Sequence, residues 1–143
     1  MHFYSGIILE MPPTWGPTFW GVLHMAALAL PPTLDAAQQE GFTSLVTSYT
    51  QVLPCGECQV HWGEVLEETP LGPHLLTGEG AFKWTVDAHN YVNIRTGKTE
   101  ISYEEAANYW MSKMGTDGRL EDAKFLLIAL IIMIIIVLFL YRR

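Results

Sequence analysis

Apolar residues recur along this chain at steps of three and four, the period of one helix face, and no stretch shows a persuasive strand-like alternation. Over residues 17–30, Phe19, Trp20, Leu23, His24, Ala27 and Leu30 fall at helical spacing. Pro17 suits a first turn, and Pro31-Pro32 stops the run. A second helix starts near Asp35, an N-cap residue with Gln38 three positions on. It carries Phe42, Leu45, Val46, Tyr49, Val52 and Leu53 before Pro54 breaks it. A third opens at Cys55 and Cys58 and runs to about Glu68, with Val60, Val65 and Leu66 among its apolar members. Thr69-Pro70 and Gly72-Pro73 mark a loop. A fourth covers residues 81–95, sets Phe82, Val86, His89, Asn90 and Asn93 near one face, and ends before Gly97. Ser102 and Glu105 form a capping box for a fifth helix that reaches Met114. The expected fold is all-α, a four-helix bundle plus a short fifth helix.

One segment departs from this amphipathic pattern. Residues 125–140 read FLLIALIIMIIIVLFL, with no charge, proline or glycine. A helix of that length rises roughly 25 Å, just short of the ~30 Å hydrocarbon core of a bilayer. Lys124, Arg142 and Arg143 can snorkel to close the gap, and Tyr141 suits the interface. The segment predicts a single transmembrane helix over 125–141, after a domain at 1–114 and a linker at 115–124 holding Gly115 and Gly118. Positive charges on both flanks leave its orientation open. The N-terminal stretch has no basic residues ahead of its short apolar run, and no targeting signal is read there.

Composition narrows the function. The chain has 143 residues, room for one domain, and a net charge of −7. With several of the few cations in the tail, the remaining domain is acidic and has no basic stripe, which argues against nucleic acid as partner. Apart from the tail there is no low-complexity tract, and no internal repeat.

The chain has only two cysteines, too few for a disulfide framework, and their spacing closes too short a loop to stabilise a fold much. Pro54-Cys55-Gly56-Glu57-Cys58 places two sulfurs within disulfide reach at a helix start. Unpaired amides and the helix dipole there favour a thiolate, so the pair is suited to exchange with another disulfide. A thioredoxin-like site would follow a buried strand, whereas this pair lies between two helical patterns. A c-type haem site needs histidine where Gln59 stands. Zinc remains open: Cys55, Cys58, His61 and one of His24, His74 or His89 supply four ligands. His24 beside Trp20, and His89, Asn90 and Asn93 in an apolar helix with Trp84, read either as an aromatic core with internal hydrogen bonds or as the lining of a flat polar ligand.

Four stretches together resemble the Erv/ALR sulfhydryl oxidases. They are Trp15-Gly16 followed by Trp20 and Leu23-His24; Pro54-Cys55-Gly56-Glu57-Cys58 with His61; Trp84 with His89-Asn90-Tyr91-Val92-Asn93; and Gly97-Lys98. They occur in the family's order over about 100 residues. The resemblance implies a four-helix bundle with a fifth helix holding FAD non-covalently, and no metal. It implies catalysis by Cys55 and Cys58, with Cys58 the sulfur next to the flavin. Trp15, Gly16, Trp20, His24, His61, Trp84, His89, Asn90, Val92, Asn93, Lys98 and Trp110 are the implied cofactor residues, Lys98 near phosphate or ribose and Trp110 near the adenine. Thiols of a protein substrate or a thioredoxin-like partner are oxidised to disulfides, and electrons pass to O2 to give H2O2. Many relatives carry a second, mobile cysteine pair, which this chain lacks. That economy resembles forms encoded by large DNA viruses. A homodimer, anchored by its C-terminal helix in a host-cell or virion membrane, is expected. The alternative is a zinc-stabilised or inactive membrane-anchored adaptor.

Overall fold

The computed structural model describes residues 15–115 and 127–134. The chain divides into two compact units, one up to Tyr103 and one from Glu104 onward. In the first, α1 (Trp15–Leu28), α2 (Ala36–Val52), α3 (Gly56–Glu68), a 3-10 turn (Gly72–His74) and α4 (Gly78–Arg95) form a bundle. α5 spans Tyr103–Lys113. No strand occurs among the described residues.

Several helix boundaries have a local cause. Asp35 caps α2 with the full capping box: its carboxylate accepts from the Gln38 N–H, and the Gln38 side chain accepts from the Asp35 N–H. α1 is described from Trp15, two residues ahead of the expected start, with Pro17 inside it. It ends at Leu28 rather than Leu30, because the residue ahead of Pro31 is driven out of the helical region. α4 begins at Gly78, three residues earlier than expected, with Thr77 capping the Gly80 N–H. The glycines there answer to tertiary contact. A Cβ on Gly78 would stand 2.7 Å from the carbonyl oxygens of both Leu30 and Pro31, and one on Gly80 would strike the His74 carbonyl. The Gly78 N–H donates to Pro31 O at 3.1 Å, which ties the start of α4 to the α1–α2 corner. After α4, Gly97 takes φ +71°, the left-handed turn that favours glycine.

α1 packs on α4, and α2 on α3. Leu23, Ala27, Val46, Val65, Ala81, Trp84, Val86 and Ala88 are buried where the helices meet. Buried indoles find carbonyl acceptors: Trp62 Nε1–H donates to Val46 O at 2.8 Å and Trp84 Nε1–H to Thr69 O at 2.7 Å. Tyr49 donates to Phe19 O at 2.9 Å, which joins α2 to α1. Two expected apolar members are exposed instead: Val52 near the end of α2 and Val60 on the outer face of α3.

In the second unit Ala106 of α5 is buried, and Trp110 meets Tyr109 edge-on at 4.8 Å. Of the expected membrane helix over 125–141, residues 127–134 are helical with exposed side chains, and the rest lies outside the described residues. Among the described residues no helix is long and apolar enough to cross a membrane. Gly115 begins the expected linker, whose other residues also lie outside those described.

Candidate active site

Cys55 is the N-cap of α3 and Cys58 its third residue, and the two are joined as a disulfide with their Cα atoms 5.1 Å apart. The Cys58 N–H donates to the Cys55 sulfur at 3.2 Å. The sulfurs therefore sit among the free amides of a helix N-terminus, the setting that stabilises a thiolate once the bond opens. With both sulfurs in that bond, the four zinc ligands do not assemble: no three histidine, cysteine or acidic side chains gather as a metal-binding group among the described residues.

Cys58 also lines a cleft of about 220 Å³ formed by all four helices of the bundle. α1 contributes Trp15, Gly16, Phe19, Trp20 and Leu23; α2 Tyr49, with Leu53 just beyond it; α3 His61, Trp62 and Val65; α4 Val92, with Thr96 at its end. Cys55 is absent from this lining. The walls are rich in aromatic rings: Trp20 meets Trp62 at 5.5 Å, Phe19 meets Tyr49 at 5.3 Å, and Tyr49 meets Trp62 at 5.5 Å. Such walls suit a flat conjugated ring. The volume lies below the ~300–1,000 Å³ of closed ligand pockets, so a dinucleotide would extend beyond the cleft.

Of the residues expected at the site, Trp15, Gly16, Trp20, Cys58, His61 and Val92 share this cleft. His24, Trp84, His89, Asn90, Asn93 and Lys98 are placed otherwise. Trp84 is buried behind the cleft, edge-on to Trp62 at 6.3 Å. His89 stacks on Trp20 with ring centres 4.0 Å apart and planes 6° off parallel. His24 is fully buried; its Nδ1 lies 2.8 Å from the Thr85 hydroxyl and its Nε2 3.0 Å from His89 Nδ1. Asn90 holds the segment after α4, its amide donating to Ile101 O at 2.9 Å and accepting from Ile101 N–H at 3.0 Å. Asn93 is buried, and its carbonyl accepts from the Lys98 N–H at 2.8 Å across the Gly97 turn. Trp110 belongs to α5 in the second unit.

Burial holds both histidines neutral. It pushes His24 down to about 3, with the adjacent His89 adding to the effect, and His89 down to about 4, with the Lys98 charge adding to it. Lys98 therefore stands close enough to put a positive potential on the His89 ring. Burial likewise raises the Tyr49 phenol to about 12, so it stays a donor to Phe19.

Trp62 and Thr96 carry part of the site unforeseen. Trp62 follows Cys58 by four residues and precedes Val65 by three, so Cys58, Trp62 and Val65 share one helix face; that spacing was available to find it. Thr96 has no such signal.

A helical bundle that opens one helix with a cysteine pair against an aromatic cleft is a thiol–disulfide redox protein. The Erv1 / Alr family pattern matches residues 17–111, and the chain belongs to that family. It is 36% identical over 96 residues to a probable FAD-linked sulfhydryl oxidase of Acanthamoeba polyphaga mimivirus, covering 66% of this chain and 67% of the relative. It is 32% identical over 96 residues to an FAD-linked sulfhydryl oxidase of African swine fever virus, covering 67% and 79%. The crystal structure of the yeast Erv1 core shares the fold with a TM-score of 0.64 at 20% identity, over 77% of this chain and 92% of that one.

Proposed function

We infer that this chain is an FAD-linked sulfhydryl oxidase that makes disulfides through Cys55–Cys58 and passes the electrons to O2. The observation that carries this reading is the asymmetry of the pair: Cys58 lines the aromatic cleft and Cys55 does not. Cys55 is then the sulfur open to substrate. A substrate thiolate attacks Cys55, the Cys55–Cys58 bond breaks, and its electron pair leaves on Cys58. A second substrate thiol displaces Cys55, and the substrate departs as a disulfide, two electrons and two protons poorer. The amides opening α3 hold the Cys58 thiolate. Trp15, Trp20, Trp62 and Val92 line the place for the flavin ring, and Lys98 supplies a cation for phosphate. When bound, FAD supplies the two-electron acceptor for the reduced pair and returns the electrons to O2, giving H2O2.

With no second cysteine pair in the chain, protein dithiols or a thioredoxin-like partner meet Cys55 directly. Exposed Val52 and Val60 offer apolar surface on the helices flanking the pair in sequence. We also propose that two copies pair, as the family resemblance implies. The uncharged run at 125–140, between Lys124 and Arg142, supports a membrane tether, in a virion or host-cell membrane.

The purified full chain is expected to be yellow and to consume oxygen with dithiothreitol. Cys55→Ser and Cys58→Ser should each stop turnover while FAD stays bound. A folded but colourless chain would refute the assignment.

A further inference from the structure

Behind the cleft, four groups stand in a row that thiol exchange does not use. The Thr85 hydroxyl lies 2.6 Å from the Phe82 carbonyl and 2.8 Å from His24 Nδ1; His24 Nε2 lies 3.0 Å from His89 Nδ1. Thr85 and His24 are both fully buried. A hydroxyl has one proton, and a carbonyl can only accept. At 2.6 Å the Thr85 proton must point at Phe82, because the opposite choice sets two lone pairs against each other. The Thr85 oxygen therefore meets His24 as an acceptor, and His24 Nδ1 carries the hydrogen. His24 is neutral, so its Nε2 is bare and accepts from the Nδ1–H of His89. His89 is neutral as well, which leaves a lone pair on its own Nε2. That nitrogen has no hydrogen-bond partner among the described residues, while Trp20 covers one face of the ring and fixes its plane.

We propose that Thr85 is a positioning residue that sets the direction of this row, so that His89 offers FAD an acceptor and the cofactor group it meets is an N–H or O–H donor, not a phosphate oxygen. The proposal rests on the oxidase reading above. It separates two kinds of recognition: Lys98 suits anionic oxygen, and His89 suits a hydrogen-bond donor.

The test uses the full chain in detergent with 15N-labelled histidine. Long-range proton–nitrogen spectra at pH 7.5 should show His24 and His89 both protonated at Nδ1 and bare at Nε2. Thr85→Val keeps the shape but cannot accept. His24 should then carry its hydrogen at Nε2, His89 should reverse in turn, and the FAD dissociation constant should rise roughly tenfold, the loss of about one hydrogen bond. Thr85→Ser should restore both readouts. Nε2–H on either histidine of the native chain, or a Thr85→Val chain with native spectrum and affinity, overturns the proposal. If Thr85→Val does not fold, the native and Thr85→Ser spectra decide. A yellow chain with His89 protonated at Nε2 overturns this inference alone. A colourless chain overturns the oxidase reading and the ligand half of this one, whatever the spectrum.

Discussion

Cys55 both caps a helix and forms half of the reactive pair. Its sulfur accepts the Cys58 N–H, so the atoms that must exchange bonds are already aligned by the backbone that positions them. The buried histidines add a measurable consequence. Both are held neutral, at about 3 and about 4, below the ordinary histidine value. Below pH ~6.5 the unfolded chain gains protons that the folded chain refuses, so stability falls as pH drops towards those values and is level above that window. Between pH 6.5 and 5.5, still above the ordinary carboxylate range, the loss should approach roughly 1 kcal/mol per histidine. Urea midpoints of the full chain at several pH values check this; a flat profile over that unit means the histidines are protonated in the fold. The sequence foretold that His24 and His89 occupy helix faces beside tryptophans. It carried no sign that Thr85, 61 residues from His24, completes their row, because a single threonine in a helix has no periodicity to read.

At the scale of elements, α1 to α5 were legible because amphipathic period and caps agree, as at Asp35 and Gln38. The start of α4 was not. Thr77-Gly78-Glu79-Gly80 has the composition of a loop, and only the approach of the Leu30 and Pro31 carbonyls explains why a helix there needs glycine. Gly78→Ala should therefore destabilise the bundle by about 1–3 kcal/mol, the usual range for overpacking against backbone. Gly41→Ala, in the exposed middle of α2 with nothing within 4 Å, should stabilise it by about 0.5–1 kcal/mol through helix propensity. Thermal denaturation of the two variants checks both signs; a neutral Gly78→Ala means the α1–α2 corner yields. Val52 and Val60 misled for the opposite reason. Val52 lies at the end of α2 and Val60 on the face of α3 opposite Cys58, Trp62 and Val65, and an apolar residue type alone does not say which face a neighbouring helix covers.

For the whole molecule, the site was legible wherever its parts are local motifs: Cys58 of the cysteine pair, Trp15-Gly16, Trp20, His61 and Val92 do share one cleft. The contributions of Tyr49, Leu53 and Val65 looked like ordinary core, because a cleft wall and a core face have the same period until helices are placed. The tail poses a separate question with its own measurement. A chain ending at residue 118 should stay in the aqueous phase on detergent partitioning and keep oxygen uptake within about twofold, since it retains α1–α5; the full chain should enter the detergent phase. A full chain that stays aqueous removes the tether.

The Asn90 clasp on Ile101 has a consequence for which amino acids position 90 admits. A carboxamide presents one donor and one acceptor side by side, the same pair a peptide bond shows to a neighbouring strand, so one side chain stands in for a missing β partner. Aspartate would keep the acceptor for the Ile101 N–H but set its other oxygen against the Ile101 carbonyl, and glutamine would overshoot by one methylene. The turn carrying Lys98 is thus tied at both ends, by the backbone bond from Lys98 to Asn93 and by the Asn90 side chain on Ile101.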